Sequence, residues 1–504
     1  MRVQSLQVGM DVGKARANGA VRCRRISILM GLLLTGSTLS PLIFPALVPA
    51  ASAQIVSAPQ SYGKAPQPSP AAPGQAQHPQ TGKSPSETHT APAATPDTPD
   101  TTQEDETETD ADMAETAKDR CDALASDPLD EDRRRDVDLV EWDDLDADAA
   151  IEACSAALAA EPNILRIKYQ LARAYEKNED YQQSVKLYRE LADRGYAAGF
   201  AGIAYAYDNG EGVEKDEAQA FDWYSKGANR NNAWAMFNLA KFYDDGRQVP
   251  EDDRIALQWF ERAASLGNAR AMTDAGFLLE TTTTDLRDVV KAREWYVKGA
   301  EAGNDVGMAN LAGFLMNGTG GPKDLEGAFK WYKAASDRGN ASATNGLGYL
   351  YYEGLGVTKD LAEAMRLYQI AADAGIGTAF TNLGYASETG LGAPQDNAKA
   401  YEYYLKGAEL GDGMAFNNLA NFADEGIAMA KDPAKAAEWM EKALRAGATF
   451  SRDQMRDNAG EWSVDFRKAL QARLKEQKIY TGAIDGDFGA TTQDAIDTVF
   501  NVPL

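Results

Sequence analysis

Histidine, cysteine and paired carboxylates supply most side-chain chemistry, and this chain of 504 residues places them unevenly. Its two histidines, His78 and His89, both fall in a Pro/Thr-rich stretch, so the segments able to fold contain none. That excludes His-dependent triads, His-containing zinc sites and most imidazole acid–base schemes. Carboxylates are plentiful, with 76 Asp and Glu against 51 Lys and Arg. A pair of them could hydrolyse a glycan without histidine, but nothing singles out one pair. "GTGG" (Gly318 to Gly321) and "GLG" (Gly354 to Gly356) offer glycines for a phosphate-cradling loop, yet no strand pattern precedes them and no "GK[ST]" follows. The acidic run near residue 105 lacks the Gly-centred spacing of a calcium loop. No cofactor and no metal are expected, and the chain is read as a non-enzyme. A formal charge of -25 disfavours nucleic acid and anionic membrane surfaces as partners.

Residues 1–53 read as an export signal. Arg22, Arg24 and Arg25 precede the apolar run "ISILMGLLL", and "ASA" (Ala51 to Ala53) supplies small residues for cleavage. Pro41 and Pro45 interrupt the run, which argues against a spanning helix of ~20 residues. A periplasmic location follows as the expectation, with no membrane insertion after cleavage. Cleavage also removes Cys23 and leaves Cys121 and Cys154, an even number in an oxidising compartment. A disulfide between them is the expected reading, with two buried free thiols as the alternative. Residues 54–117 are rich in Pro, Thr, Ser, Ala and acid, and read as a disordered linker that buries too little apolar surface to fold.

What positions the remaining residues is repetition. From Ala197 to Ala448 the chain divides into seven units of 36 residues, starting at 197, 233, 269, 305, 341, 377 and 413. Asp recurs at 216, 252, 288, 324, 360, 396 and 432, just before an apolar-periodic run, where it can cap a helix. Glu363 stands at the capping-box position after Asp360. Ala recurs at 220, 256, 292, 328, 364, 400 and 436 and lets helices approach closely. Aromatic pairs such as Trp295-Tyr296 and Tyr403-Tyr404 follow one turn on and fill the space between units. Gly at 267, 303, 339, 375, 411 and 447 suits a left-handed C-cap. Each unit is therefore helix, turn, helix, and the Gly-rich pieces are inter-helix turns. "ETTTTDLRD" (Glu280 to Asp288) has no Gly, so a distorted turn is expected there.

The pattern "A-x-x-N-L-A/G … G-x-G-V/P-x-x-D-x-x-x-A-x-x-W-Y-x-K-A-A-x-x-G" over 197–448 resembles the Sel-one-like repeat, a relative of the tetratricopeptide repeat. Residues 118–196 resemble degenerate tetratricopeptide-like units, with one closing near Pro162 and another over Asn163 to Tyr196. The resemblance implies an all-α fold, a right-handed α-solenoid whose concave groove binds a protein or peptide. It places Asn238, Asn310, Asn382 and Asn418 on first helices facing that groove, where amides could pair with a partner's backbone. Bonding to a neighbouring helix or turn is the other reading.

Residues 449–504 leave the period. Leu470, Gln471, Leu474, Tyr480, Gly482, Ile484, Asp485, Gly486, Phe488, Gly489 and Thr492 resemble a small helical peptidoglycan-binding domain. That resemblance implies wall binding through Tyr480, Gly482, Asp485, Gly486, Phe488 and Gly489 on "YTGAIDGDFG". A degenerate cap over the solenoid's apolar end is the alternative. The expected function is a periplasmic scaffold or adaptor joining a protein partner to peptidoglycan. A regulator holding the outer domain of a membrane sensor is the alternative, and a carboxylate-pair wall hydrolase is a further one.

Overall fold

The computed structural model describes residues 110–127, 130 and 132–502. The export signal, most of the linker, Cys23 and both histidines lie outside the described residues. Among the described residues there are twenty-one α-helices and no strand, and none of these helices is long and apolar enough to cross a membrane. The chain divides into two compact units, within Pro59–Ala220 and over Phe221–Leu504. In each, consecutive helices pack as pairs in the manner of a solenoid.

In the first unit, helix Asp110–Ala125 begins inside the stretch expected to be linker. Its sequence has no Pro or Gly and is rich in helix formers. Its C-terminal turns are anchored: Cys121 is bonded to Cys154 of helix Ala147–Ala160, Cα atoms 4.8 Å apart. Both cysteines are fully buried with Ala125, Leu145, Ala150 and Ile167. Buried Asp122 takes two 2.9 Å bonds from the Arg166 guanidinium of helix Leu165–Lys177. The following segment is tied down by tyrosine hydroxyls. Tyr169 donates to Asp127 and Tyr196 to Asp130, each at 2.5 Å.

The second unit shows why the columns recur. All six Asp from 252 to 432 accept N–H bonds in the first turn of their second helix. Asp216 does the same in the first unit. Each Asp also donates its own N–H to a carbonyl nine residues back, as Asp360 does to Tyr351 at 3.0 Å and Asp396 to Ser387 at 2.7 Å. One residue thus closes the turn through its backbone N–H and starts the helix through its side chain. Glu363 does not complete a capping box; its carboxylate is taken by Arg366 three residues on, at 2.6 and 2.8 Å. A further cap was missed: Asn232, Asn268, Asn304 and Asn340 start the first helices, accepting from the third residue on.

The Ala column is fully buried or nearly so, and so are Tyr224, Phe260, Tyr296, Tyr332, Tyr368, Tyr404 and Met440. The turn glycines explain how units stack. Gly320 and Gly356 have φ of +66° and +68°, and a Cβ there would sit 2.3 Å and 2.2 Å from the Val289 and Leu325 carbonyl oxygens of the preceding second helix. Only glycine fits a left-handed turn pressed onto that backbone. At 280–288, threonines replace the glycines. Thr284 N–H donates to the Thr282 hydroxyl at 3.2 Å, Thr282 also bonds Asp253, and Asp288 still closes onto Leu279 at 2.9 Å. The turn is distorted as expected, yet its ends are held in register.

Candidate functional site: the open face of the first helices and the tail loop

In each first helix, positions 2, 6, 9 and 13 of the unit fall on one side, because they follow the helical period. From 233 onward many of these positions keep some solvent contact while the rest of the helix is largely buried. The frame beneath is constant but this face changes type: Trp234, Lys241 and Asp245 in one unit, Arg270 and Phe277 in the next, Tyr349 and Glu353 further on, then Tyr385 and Thr389. Lys241 pairs with Asp244 at 2.8 Å and Asp245 at 3.7 Å, and burial pushes nearby Asp274 up to about 6.

The four asparagines occupy position 6, and each stands 14 residues after the aromatic column of the preceding unit. Asn310 and Asn418 stand beside the Tyr296 and Tyr404 hydroxyls. Asn382 donates to Asn345 of the preceding unit at 3.0 Å, and Asn238 to its own helix at Trp234 O, 2.9 Å. Asn310 and Asn382 are buried, whereas Asn238 and Asn418 are partly exposed. Their amides therefore already serve contacts within the stack. Where the column is Gly346, the Tyr332 ring packs against the helix backbone instead, 2.6 Å from a Cβ position.

Those tyrosines also hold buried acids. Tyr296 donates to Glu280 and Tyr404 to Glu388, each at 2.6 Å. Desolvation raises Glu280 to about 7 against the opposing Tyr296 bond. The folded chain then binds this proton more tightly than the unfolded chain, whose glutamate ionises near 4.5. The stability from Glu280 is full below about pH 4.5 and falls as pH rises to about 7. Melting at pH 5 and pH 7.5 should show wild type losing more stability across this window than Glu280→Gln, whose amide carries no charge at either pH.

The tail is built onto the last repeat. Trp462, Phe466, Leu470, Leu474, Ile496, Val499 and Phe500 share one core with Met440 and Leu444 of helix Pro433–Arg445. Glu441 of that helix bonds Arg473 and takes the Gln477 amide at 2.9 Å. Buried Gln471 organises the loop: its amide oxygen accepts from the Asp485 and Gly486 N–H groups at 3.1 and 2.8 Å, and its nitrogen reaches Asp487 O at 2.8 Å. Tyr480 does not offer ligand surface. It is 4% exposed and its hydroxyl donates to Ala483 O at 2.6 Å. Gly482 makes room for that hydroxyl, and Gly486 is buried at φ +82°. Asp485 is exposed and held below the usual carboxylate range by the Asp487 N–H and the Gln471 amide. Ile484 and Val464 are about half exposed, Phe488 is partly exposed and Gly489 is exposed.

Comparison with known proteins agrees with the repeat columns. The Sel1 repeat model matches residues 169–196, 197–232, 235–268, 284–304, 306–340, 341–376, 381–412 and 415–447. The first match falls on the stretch read above as tetratricopeptide-like, making eight repeats. The break at 269–283 covers helix Ala269–Thr281 and runs into the threonine turn. No curated protein matches the chain significantly. Among solved structures it is similar to a protective antigen of uropathogenic Escherichia coli strains displaying an SLR fold, at 28% identity over 65% of this chain and 75% of that one, TM-score 0.48. It is also similar to a Sel1 repeat protein from Oxalobacter formigenes, at 30% identity over 47% of this chain and 98% of that one, TM-score 0.43. The eight repeat matches together span just over half of the chain, which belongs to the Sel1 repeat family.

Proposed function

We propose that the chain is a non-enzymatic periplasmic scaffold that holds a protein partner on the open face of its first helices and touches peptidoglycan through its tail. Sel1 repeat proteins are generally protein-interaction scaffolds. The observation that carries the reading is a varied, partly exposed face over an invariant frame. Capping Asp, buried Ala and buried Tyr fix the stack, which frees the open face to carry recognition. Partly exposed Asn238 and Asn418 belong to that face. Asn310 and Asn382 are buried beneath it, and Asn382 ties its helix to Asn345 of the preceding unit.

Affinity capture from an envelope extract, with partners identified by mass spectrometry, tests the protein arm. A specific protein lost on Asn238→Ala/Asn418→Ala supports it; capture of nothing above background counts against it. If the partner is the outer domain of a membrane sensor, the scaffold acts as a regulator. For the wall arm, the exposed Ile484, Asp485 and Phe488 offer apolar surface beside an ionised carboxylate. Removing the whole tail would uncover Met440 and Leu444, so single replacements are the cleaner probe. Asp485→Ala is expected to reduce sedimentation with purified sacculi. Equal pelleting of this variant and wild type leaves the tail as a cap alone.

A further inference from the structure

Two units break the acid–tyrosine pattern: the fourth has Met316 at position 12 and the fifth has Tyr352. Position 12 is Glu280 in the third unit and Glu388 in the sixth, and each accepts from its own second-helix tyrosine. In helix Ala341–Glu353 the same position holds Tyr352. Tyr352 is 2% exposed, yet its hydroxyl has no hydrogen-bond partner. Its surroundings belong to the open face. The Tyr385 ring lies 6.4 Å away at 66°, and Thr389 and Glu353 are the next groups to bear on it. Tyr349 stands one helical turn before Glu353 on the same side.

Glu353 is partly exposed and makes no ion pair or hydrogen bond among the described residues. Burial pushes its carboxyl up, and Lys359 draws it back. That lysine shows what the surroundings accept: its ammonium lies 5.3 Å from the centre of the Tyr352 ring. Thr389 gives its hydroxyl hydrogen to Tyr385 O at 2.8 Å, which leaves its oxygen lone pairs free to accept. The cluster therefore places a buried, unpaired Tyr352 hydroxyl behind a partly exposed carboxylate, the Thr389 hydroxyl oxygen and the half-buried Tyr385 ring.

We propose that Tyr349, Tyr352, Glu353, Tyr385 and Thr389 form a receptor for a lysine side chain of the protein partner, a proposal that rests on the scaffold reading above. An ammonium has three donors and no acceptor, which matches acceptors placed on three different residues. A guanidinium prefers two parallel acceptors on one carboxylate and a flat slot, so arginine fits less well. The aromatic rings add attraction for a cation that has shed water. A chain of formal charge -25 draws basic segments to its surface, and this cluster gives one lysine a defined seat.

The test uses the full chain and a labelled peptide with three lysines spaced by Gly and Ser, read by fluorescence anisotropy. Matched peptides carry arginine or acetyl-lysine. The lysine peptide is expected to bind, with arginine weaker and acetyl-lysine about tenfold weaker or worse. Glu353→Gln should weaken the lysine peptide by about three- to thirtyfold, the range for loss of one charged contact beside aromatic rings. Tyr385→Ala should act in the same direction. Should that variant unfold, Glu353→Gln alone decides, because its side chain is partly exposed. Glu402→Gln removes an equal charge from an exposed second-helix site and should change nothing. Lys359→Met should strengthen binding by removing the internal competitor. No binding of the lysine peptide, indifference to acetylation, or equal weakening by Glu353→Gln and Glu402→Gln overturns the receptor. A partner captured equally by wild type and Glu353→Gln also overturns it but leaves the scaffold reading standing. If neither captures any partner, the scaffold reading itself fails.

Discussion

Replacing Tyr404 by alanine is expected to cost about 3–5 kcal/mol, the range for emptying a large aromatic site in a packed core. Tyr404 is fully buried, lies edge-on to Phe422 at 5.4 Å, and presses on Gly384, where even a Cβ would come within 2.6 Å of its ring. Its hydroxyl donates to Glu388 at 2.6 Å. Tyr404→Phe keeps the ring and strips the bond, leaving Glu388 short of a donor, and should cost about 1–3 kcal/mol. Tyr332 is the control. Its ring is as deeply buried, but Met316 and Gly346 stand where Glu388 and Asn418 flank Tyr404, and its hydroxyl has no partner. Tyr332→Phe should fall within about 0.5 kcal/mol of wild type or stabilise it. Urea unfolding followed by tryptophan emission compares the three. An equal cost for both phenylalanine variants would mean that the hydroxyl bond contributes nothing.

The second large effect belongs to the first unit. Cys121 and Cys154 are 33 residues apart in sequence. Removing such a link costs about 3–4 kcal/mol in the chain-entropy view. Cys121→Ala with Cys154→Ala should therefore loosen helix Asp110–Ala125 and the segment that follows it. Arg133, Arg134 and Arg135 in that segment supply the readout, since trypsin should cut there much faster in the variant. Cutting within Phe221–Leu504 should not change. Unaltered cleavage at the three arginines would show that the Asp122–Arg166 and tyrosine–aspartate bonds hold the segment without the disulfide.

The repeat frame could be read from the sequence because each of its parts has one physical task at a fixed spacing. A capping Asp, a small Ala and a positive-φ Gly each leave a residue type that few others can replace. The cysteine pairing was legible for a similar reason, since removal of the expected export signal would leave two cysteines with one partner each. The roles of the asparagines were less legible. Asn382 donates to Asn345, thirty-seven residues earlier, and that closeness appears only when helices are stacked. The recurring Asn at 232, 268, 304 and 340 was a visible signal for a second set of caps. Tyr480 illustrates a different limit. An aromatic residue in a short Gly-rich loop can face solvent or anchor the loop, and the buried Gln471 amide with the Tyr480 hydroxyl decides for the anchor. Glu363 had two possible partners within one turn, and the Arg366 fork outcompeted a backbone N–H already given to Tyr351.

That the repeats hold a protein partner on the open face is tested most directly by photo-cross-linking in cells. A photoreactive residue is placed at Asn317, Glu353 or Thr389 on first helices, and at Glu294, Glu326 or Glu402 on second helices. The first set is expected to trap one protein of constant mass, and the second set none. Adducts from the second-helix positions alone, or no protein adduct from either set, would contradict it.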